Sequence, residues 1–284
     1  MPNALIKIGG GYVFQVMGVG LLSQLVMTGC ASSTTAGTIS PDRKQLMIYS
    51  NSELQRMADT YYRETLAKAR TQGVLDVNAA QVNRVRRIAD RLIPQTTLLR
   101  PDAANWSWKV HVISEDTVNA YVMPNAKIIF YSGIIDKLSL SDAEIAAIMG
   151  HEMAHALREH SREKMSHRTA TSASLGIASA ALGLGTSGMQ ALGLAGTLGL
   201  MLPHSRSQES EADRIGLEIM ARAGFDPQAA VSLLQKMQAM EASSQDLRIG
   251  FLSTHPTSTN RIKELQALQS SVRPLYLDAL TKSN

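Results

Sequence analysis

Residues 141–157 limit what this chain can fold into more than any other stretch. Ser141-Asp142-Ala143-Glu144 reads S-x-x-E, a capping box that starts a helix at Ser141. The run that follows, Ile145-Ala146-Ala147-Ile148-Met149-Gly150, carries no charge. Then comes His151-Glu152-Met153-Ala154-His155, an H-E-x-x-H pattern. Ile145, Met149, Met153 and Ala156 form one apolar stripe at helical spacing. His151 and His155 leave from nearly the opposite side, beside Ile148 and small residues. Solvent exposure of the helix is expected to begin clearly only at Arg158. Such a helix is expected to be enclosed on both sides.

On a helix, positions four apart lie on one face, so both imidazoles can reach one metal ion. Glu152 sits beside them, placed to take a proton from a metal-bound water. Two surface histidines on an amphipathic helix would give the same letters. Burial argues against that reading, because buried polar groups without partners are costly and a metal supplies the partner. Catalytic zinc takes three protein ligands and keeps one position for water. The candidate third ligand is Glu209, in Ser207-Gln208-Glu209-Ser210-Glu211-Ala212-Asp213. Asp213 is one turn further on the same face, suited to accept the second N–H of a ligating histidine. Gly216 continues that face and would let two helices approach closely. Taken alone, Glu209 and Glu211 would read as a solvated acidic helix start.

Three motifs in order, HEMAH, SRSQESEAD and Thr254-His255-Pro256 followed by Arg261-Ile262, resemble the gluzincin metallopeptidase family of the CAAX prenyl endopeptidase, in its bacterial lipoprotein branch. The resemblance runs from about residue 50 to about 270. It implies an α+β, mainly helical, zincin-like metallopeptidase domain with a small sheet beside the H-E-x-x-H helix. It implies one Zn2+ per chain on His151, His155 and Glu209, with Glu152 as general base. It also places His255 near the zinc. There a neutral imidazole would either fill the fourth coordination position and block water, or donate to the tetrahedral oxyanion. Asn119 to Met123 and Pro124 to Gly133 are similar to the family's strand upstream of the zinc helix. This chain has Pro124-Asn125-Ala126 where that strand carries a Pro-Gly-Gly turn.

The N-terminus has a different character. Lys7 is the only charge before residue 42, and Tyr12 to Met27 is mostly apolar. Leu25-Val26-Met27-Thr28-Gly29-Cys30 reads as a lipoprotein cleavage site closing a signal peptide over 1–29. An ordinary signal peptide or an uncleaved anchor is the alternative. Cys30 is the chain's single cysteine, and lipidation would remove the liability of a free thiol in an exported protein. Acylated Cys30 would hold the protein to a membrane, and residues 31–41 read as a flexible, polar tether within a 30–50 linker. Ala31 in place of Asp suggests, by resemblance to Gram-negative lipoproteins, the outer membrane facing the periplasm. The net charge of +4 is spread out, with no basic run interleaved with aromatics, so nucleic acid is excluded as a partner.

The domain is expected over 51–272, with 273–284 as a tail. Helices are expected over about 51–72 and 78–93, with Pro94 and Pro101 marking a loop. Strands are expected from Trp106 to Ile113 and from Ala126 to Tyr131. The stretch Asn119 to Tyr131 is the candidate edge that pairs with an extended substrate. A short helix near 132–138, then helices over 206–223, 227–240 and 259–270, complete the reading. Residues 169–205 contain no Asp, Glu, Lys or Arg, and their length would allow a membrane span. Seven glycines from Gly176 to Gly199 favour a helical hairpin or flap instead. His111 reads as a strand residue, His160, His167 and His204 as surface or loop residues, and Arg261 as a structural partner for an acidic group.

The expected function is a zinc endopeptidase of the cell envelope, acting on unfolded or misassembled envelope proteins. The alternatives are a chaperone-like or assembly role with a latent zinc site, and a membrane-embedded peptidase.

Overall fold

The computed structural model describes residues 30–124, 126–181, 204–243 and 250–282. The signal-peptide reading of 1–29, and most of the charge-free stretch 169–205, fall outside them. No helix among the described residues is long and apolar enough to cross a membrane.

The described residues are mainly helical, with a three-stranded sheet and a two-stranded ribbon. Helix α1 spans Asn51–Thr71 and α2 spans Ala79–Thr96. A 3-10 turn, Pro101–Asn105, leads to the sheet strands β3 (Lys109–Ile113), β4 (Ala120–Met123) and β5 (Lys127–Tyr131). They follow a two-stranded ribbon of β1 (Cys30–Ala31) and β2 (Gln45–Leu46). Helices α3 (Ser132–Lys137), α4 (Asp142–Leu157), α5 (His160–Ala181), α6 (Arg206–Arg222), α7 (Gln228–Ser243), α8 (Gly250–Thr254) and α9 (Thr259–Lys282) complete the order.

Helix α4 is the axis of the molecule. Ser141 caps it, its side chain accepting from Glu144 N–H while the Glu144 carboxylate accepts from Ser141 N–H. It packs against α6, α2, α7 and β4, so nearly every side chain from Glu144 to Leu157 is buried, and Arg158, expected to be exposed, is fully buried too because it pairs with Glu211. A helix enclosed on all sides has no polar face, which accounts for the charge-free run. Only 5% of the residues are aromatic, and the core is correspondingly aliphatic: Ile128, Ile134, Ile145, Ile148, Met149, Met153 and Leu157 are fully buried, with Phe130 among them.

The sheet has the order β3-β5-β4. β3 runs parallel to β5, and β4 antiparallel to it, with Val122 opposite Ile128. The expected edge segment Asn119–Tyr131 is therefore a hairpin: β4 is the edge and β5 the centre. Ala126, in the turn between them, has φ 63, a left-handed conformation more natural to glycine.

Three expectations are corrected. Residues 32–46 do not form a flexible tether. They lie as a strap along the domain, because their polar groups find buried partners. Thr35 N–H donates to Leu99 O (2.8 Å), and Thr38 and Ile39 N–H donate to the buried carboxylate of Glu218 (3.0 and 3.1 Å). Arg43 pairs with Glu163 and Glu211, and Gln45 Nε2 donates to Arg158 O (2.6 Å). Residues 273–282 are not a tail. α9 continues through Pro274, burying Val272 and packing Leu275 and Tyr276 on the core. Helix α2 likewise runs past Pro94 to Thr96, whose side chain is fully buried.

The strap gives a pH signature. Burial works to raise the Glu163 carboxyl, but hydrogen bonds from Arg43, Gln208 and Gln45 outweigh it and hold it at about 2 against an ordinary 4.5. The ionised form therefore stabilises the fold fully above pH 4.5, and that contribution is lost as pH falls toward 2. Glu163→Gln is expected to lower the melting temperature at pH 7. The gap to the unaltered protein should close between pH 4.5 and pH 2. A gap that stays constant on acidification would contradict this role.

Candidate metal centre

Helices α4 and α6 cross where neither has a side chain. A Cβ on Gly216 would lie 2.7 Å from His151 N, and one on Gly150 would lie 2.9 Å from Gly216 O. The two backbones touch, as the position of Gly216 implied. That contact sets His151 of α4 against the Glu209–Asp213 face of α6.

Four buried groups converge there: His151, His155, Glu209 and His255. His151 Nε2 is 3.0 Å from His155 Nε2 and 3.3 Å from His255 Nδ1. Glu209 Oε1 is 2.9 Å from His255 Nδ1 and 3.4 Å from His155 Nε2, and Oε2 is 3.5 Å from His151 Nε2. Atoms held tetrahedrally around zinc at protein bond lengths stand roughly 3.3 Å apart. The donor set fits that ion.

Hydrogen bonding fixes which atoms are lone pairs. Asp213 Oδ1 lies 3.0 Å from His151 Nδ1. A carboxylate only accepts, so Nδ1 donates, and Nε2 is the nitrogen left to face the centre and bind a metal. Arg261 holds Asp213 in place, Nε donating to Oδ2 at 2.6 Å and Nη2 to Oδ1 at 2.7 Å. The same guanidinium lies 2.9 Å from Glu209 Oε2. The acidic partner expected for Arg261 is thus both centre carboxylates.

The electrostatics follow from this packing. Burial would raise Glu209, but the imidazoles around it hold its carboxyl far below the usual range. Burial opposes ionisation of Asp213 too, and Arg261 outweighs it, keeping the group low. Burial lowers His151, yet the Asp213 and Glu209 carboxylates push it up to about 9. His155 lies well below its ordinary value through burial and its neighbour His204.

Glu152 stands at the wall of the centre. Its Oε2 accepts from Val122 N–H of the edge strand (3.2 Å), and its Oε1 lies 3.2 Å from His255 Nε2. Burial raises its carboxyl, and the charges of His255 and His151 oppose this only in part. A cavity of about 160 Å³ opens beside it, lined by Tyr121, Trp106, His155, His204 and His255.

One histidine differs from its sequence reading. His160 is fully buried rather than at the surface, its Nδ1 2.8 Å from His155 Nδ1 and its Nε2 3.0 Å from Glu211 Oε2. Continuing α4 would have turned His160 off the metal face. Instead α4 ends at Leu157, Glu159 takes φ 49, and α5 restarts at His160, bringing its ring back to the centre. No glycine marks that turn, so the sequence carries no signal for it. His204 is a loop residue, but its ring lies 4.0 Å from that of His155. His167 is exposed and His111 lies on β3, paired with Asp76 (2.7 Å).

An enclosed H-E-x-x-H helix, a carboxylate from a second helix and a cleft beside Glu152 define a metallopeptidase type of centre. The model for Peptidase family M48 matches residues 79–269, more than half of the chain, and the chain belongs to that family. It is 34% identical over 212 residues to the mitochondrial metalloendopeptidase OMA1 of Schizosaccharomyces pombe, covering 75% of this chain and 60% of that protein. It is 29% identical over 176 residues to the beta-barrel assembly-enhancing protease of Escherichia coli, covering 59% of this chain and 36% of that protein. The Escherichia coli metalloprotease LoiP is 27% identical over 249 residues, covering 87% of this chain and 93% of its own length. The chain therefore spans less than two thirds of the first two of these relatives.

Asp213 is expected to govern metal affinity. Asp213→Ala should weaken zinc binding by roughly 10–100-fold in competition with a chromophoric chelator. Unchanged affinity would separate Asp213 from the centre.

Proposed function

We propose that this chain is a zinc endopeptidase of the bacterial cell envelope, with zinc held by His151, His155 and Glu209 and with Glu152 as general base. The observation that carries this reading is the convergence of buried lone pairs beside a carboxylate that burial raises. Zinc bound there would supply Lewis-acid polarisation of a water and of the scissile carbonyl. Glu152 takes the proton from the attacking water and returns it to the leaving amine, a task suited to a carboxyl shifted upward. The bond from Val122 N–H fixes the Glu152 carboxylate. β4 is the sheet edge, and its Tyr121, Val122 and Met123 line the cleft, so an extended peptide can lie along it. Recognition through backbone groups suits unfolded or misassembled envelope proteins.

His255 favours a closed resting state over oxyanion stabilisation. Its Nδ1 stands within the ligand set rather than beside it, which fills the position that water needs. Activity then requires His255 to withdraw. Lipidation at Cys30 and an outer-membrane location facing the periplasm rest on the residues around Cys30, and two Escherichia coli relatives, one named for β-barrel assembly, suit that setting.

Glu152→Gln should keep zinc and lower casein cleavage by roughly 100-fold or more. Retained cleavage in a pure sample would refute its role. His255→Ala should raise the cleavage rate while zinc stays bound; a fall would favour the oxyanion role, and no change would sink both.

A further inference from the structure

The nitrogen of His155 that faces away from the centre has an unusual partner. Its Nδ1 meets not a carboxylate or a carbonyl but another imidazole nitrogen, His160 Nδ1, at 2.8 Å. Of two facing nitrogens, one must carry the hydrogen and the other the lone pair. The far end of the chain decides which. His160 Nε2 lies 3.0 Å from Glu211 Oε2. Glu211 is buried between two guanidinium groups, Arg158 Nε at 2.8 Å from Oε1 and Arg43 Nη2 at 2.7 Å from Oε2. Flanked by two fixed positive charges it is an ionised, acceptor-only group. A neutral His160 must then carry its hydrogen on Nε2, and its Nδ1 accepts. His155 Nδ1 donates, and His155 Nε2 is left as a lone pair aimed at Glu209 and His151.

We infer that His160 and Glu211 form a positioning relay that sets the tautomer and ring orientation of His155, with Arg158 and the strap residue Arg43 anchoring its far end. The inference rests on the metal-centre reading proposed above. His151 is oriented by a carboxylate directly, through Asp213. His155 is oriented by a carboxylate one imidazole away. Polarisation passes along such a chain and raises the donor strength of the ligand nitrogen. Arg158 is completely buried, so its charge has no solvent to balance it and depends on Glu211. Arg43 adds a consequence for the strap: the segment that follows Cys30 closes a hydrogen-bonded path that ends on a metal-facing nitrogen.

The test compares zinc affinity of the full chain by chelator competition with two variants. His160→Phe keeps a planar ring and removes both hydrogen bonds, and should weaken zinc by roughly 10–100-fold. His160→Gln can accept at its carbonyl and donate from its amide, and should recover most of that loss although its shape fits worse. A role in packing alone would give the reverse order. Nitrogen-15 spectra of the unaltered, zinc-loaded protein should show hydrogen on Nδ1 of His155 and on Nε2 of His160. They decide the question even if His160→Phe fails to fold. The opposite tautomers, or a folded His160→Phe with undiminished affinity, would overturn the relay alone. Absence of stoichiometric zinc in the unaltered chain would overturn the metal-centre reading and the relay with it.

Discussion

The structure depends on one constraint: several buried lone pairs must face a single point. Imidazole and carboxylate groups resist this arrangement, because burial penalises them and they offer one another few hydrogen bonds. It becomes stable when each group is fixed from behind and a cation joins them in front. Both conditions trace to α4. The helix is enclosed on all sides, so His151 and His155 cannot turn to solvent. The bare contact of Gly150 with Gly216 brings α6 close enough for Glu209 to close the set.

The support behind the centre is built from arginines. Arg261 holds Asp213 and Glu209 together. Arg158 and Arg43 hold Glu211, and Arg43 also holds Glu163. These buried ion pairs contribute less to stability than their number suggests, since desolvation offsets much of the attraction. Their effect is orientation: Asp213, Glu209 and Glu211 each face a histidine. The strap takes part in the same network, which explains why a polar segment without hydrophobic pattern lies flat on the domain.

Much of this was legible in the sequence, for identifiable reasons. The capping box at Ser141, the charge-free run and the H-E-x-x-H spacing are local, and local rules govern them. Asp213 and Gly216 followed from helical spacing past Glu209, and the structure places both where that spacing put them. His160 was not legible, because its position depends on a left-handed Glu159 that no turn residue announces. The strap was not legible either. Its binding depends on Glu218, Glu211 and Glu163, residues far along the chain whose burial only the fold creates. The β4 edge was located only to within a hairpin, since alternation alone does not order strands in a sheet.

The most direct test of the central claim is zinc-edge X-ray absorption on the purified full chain. A single zinc surrounded by nitrogen and oxygen alone at roughly 2.0–2.2 Å is expected, with outer scattering from ordered imidazole rings. A shell of water oxygens without imidazole scattering, or sulfur at about 2.3 Å, would contradict it.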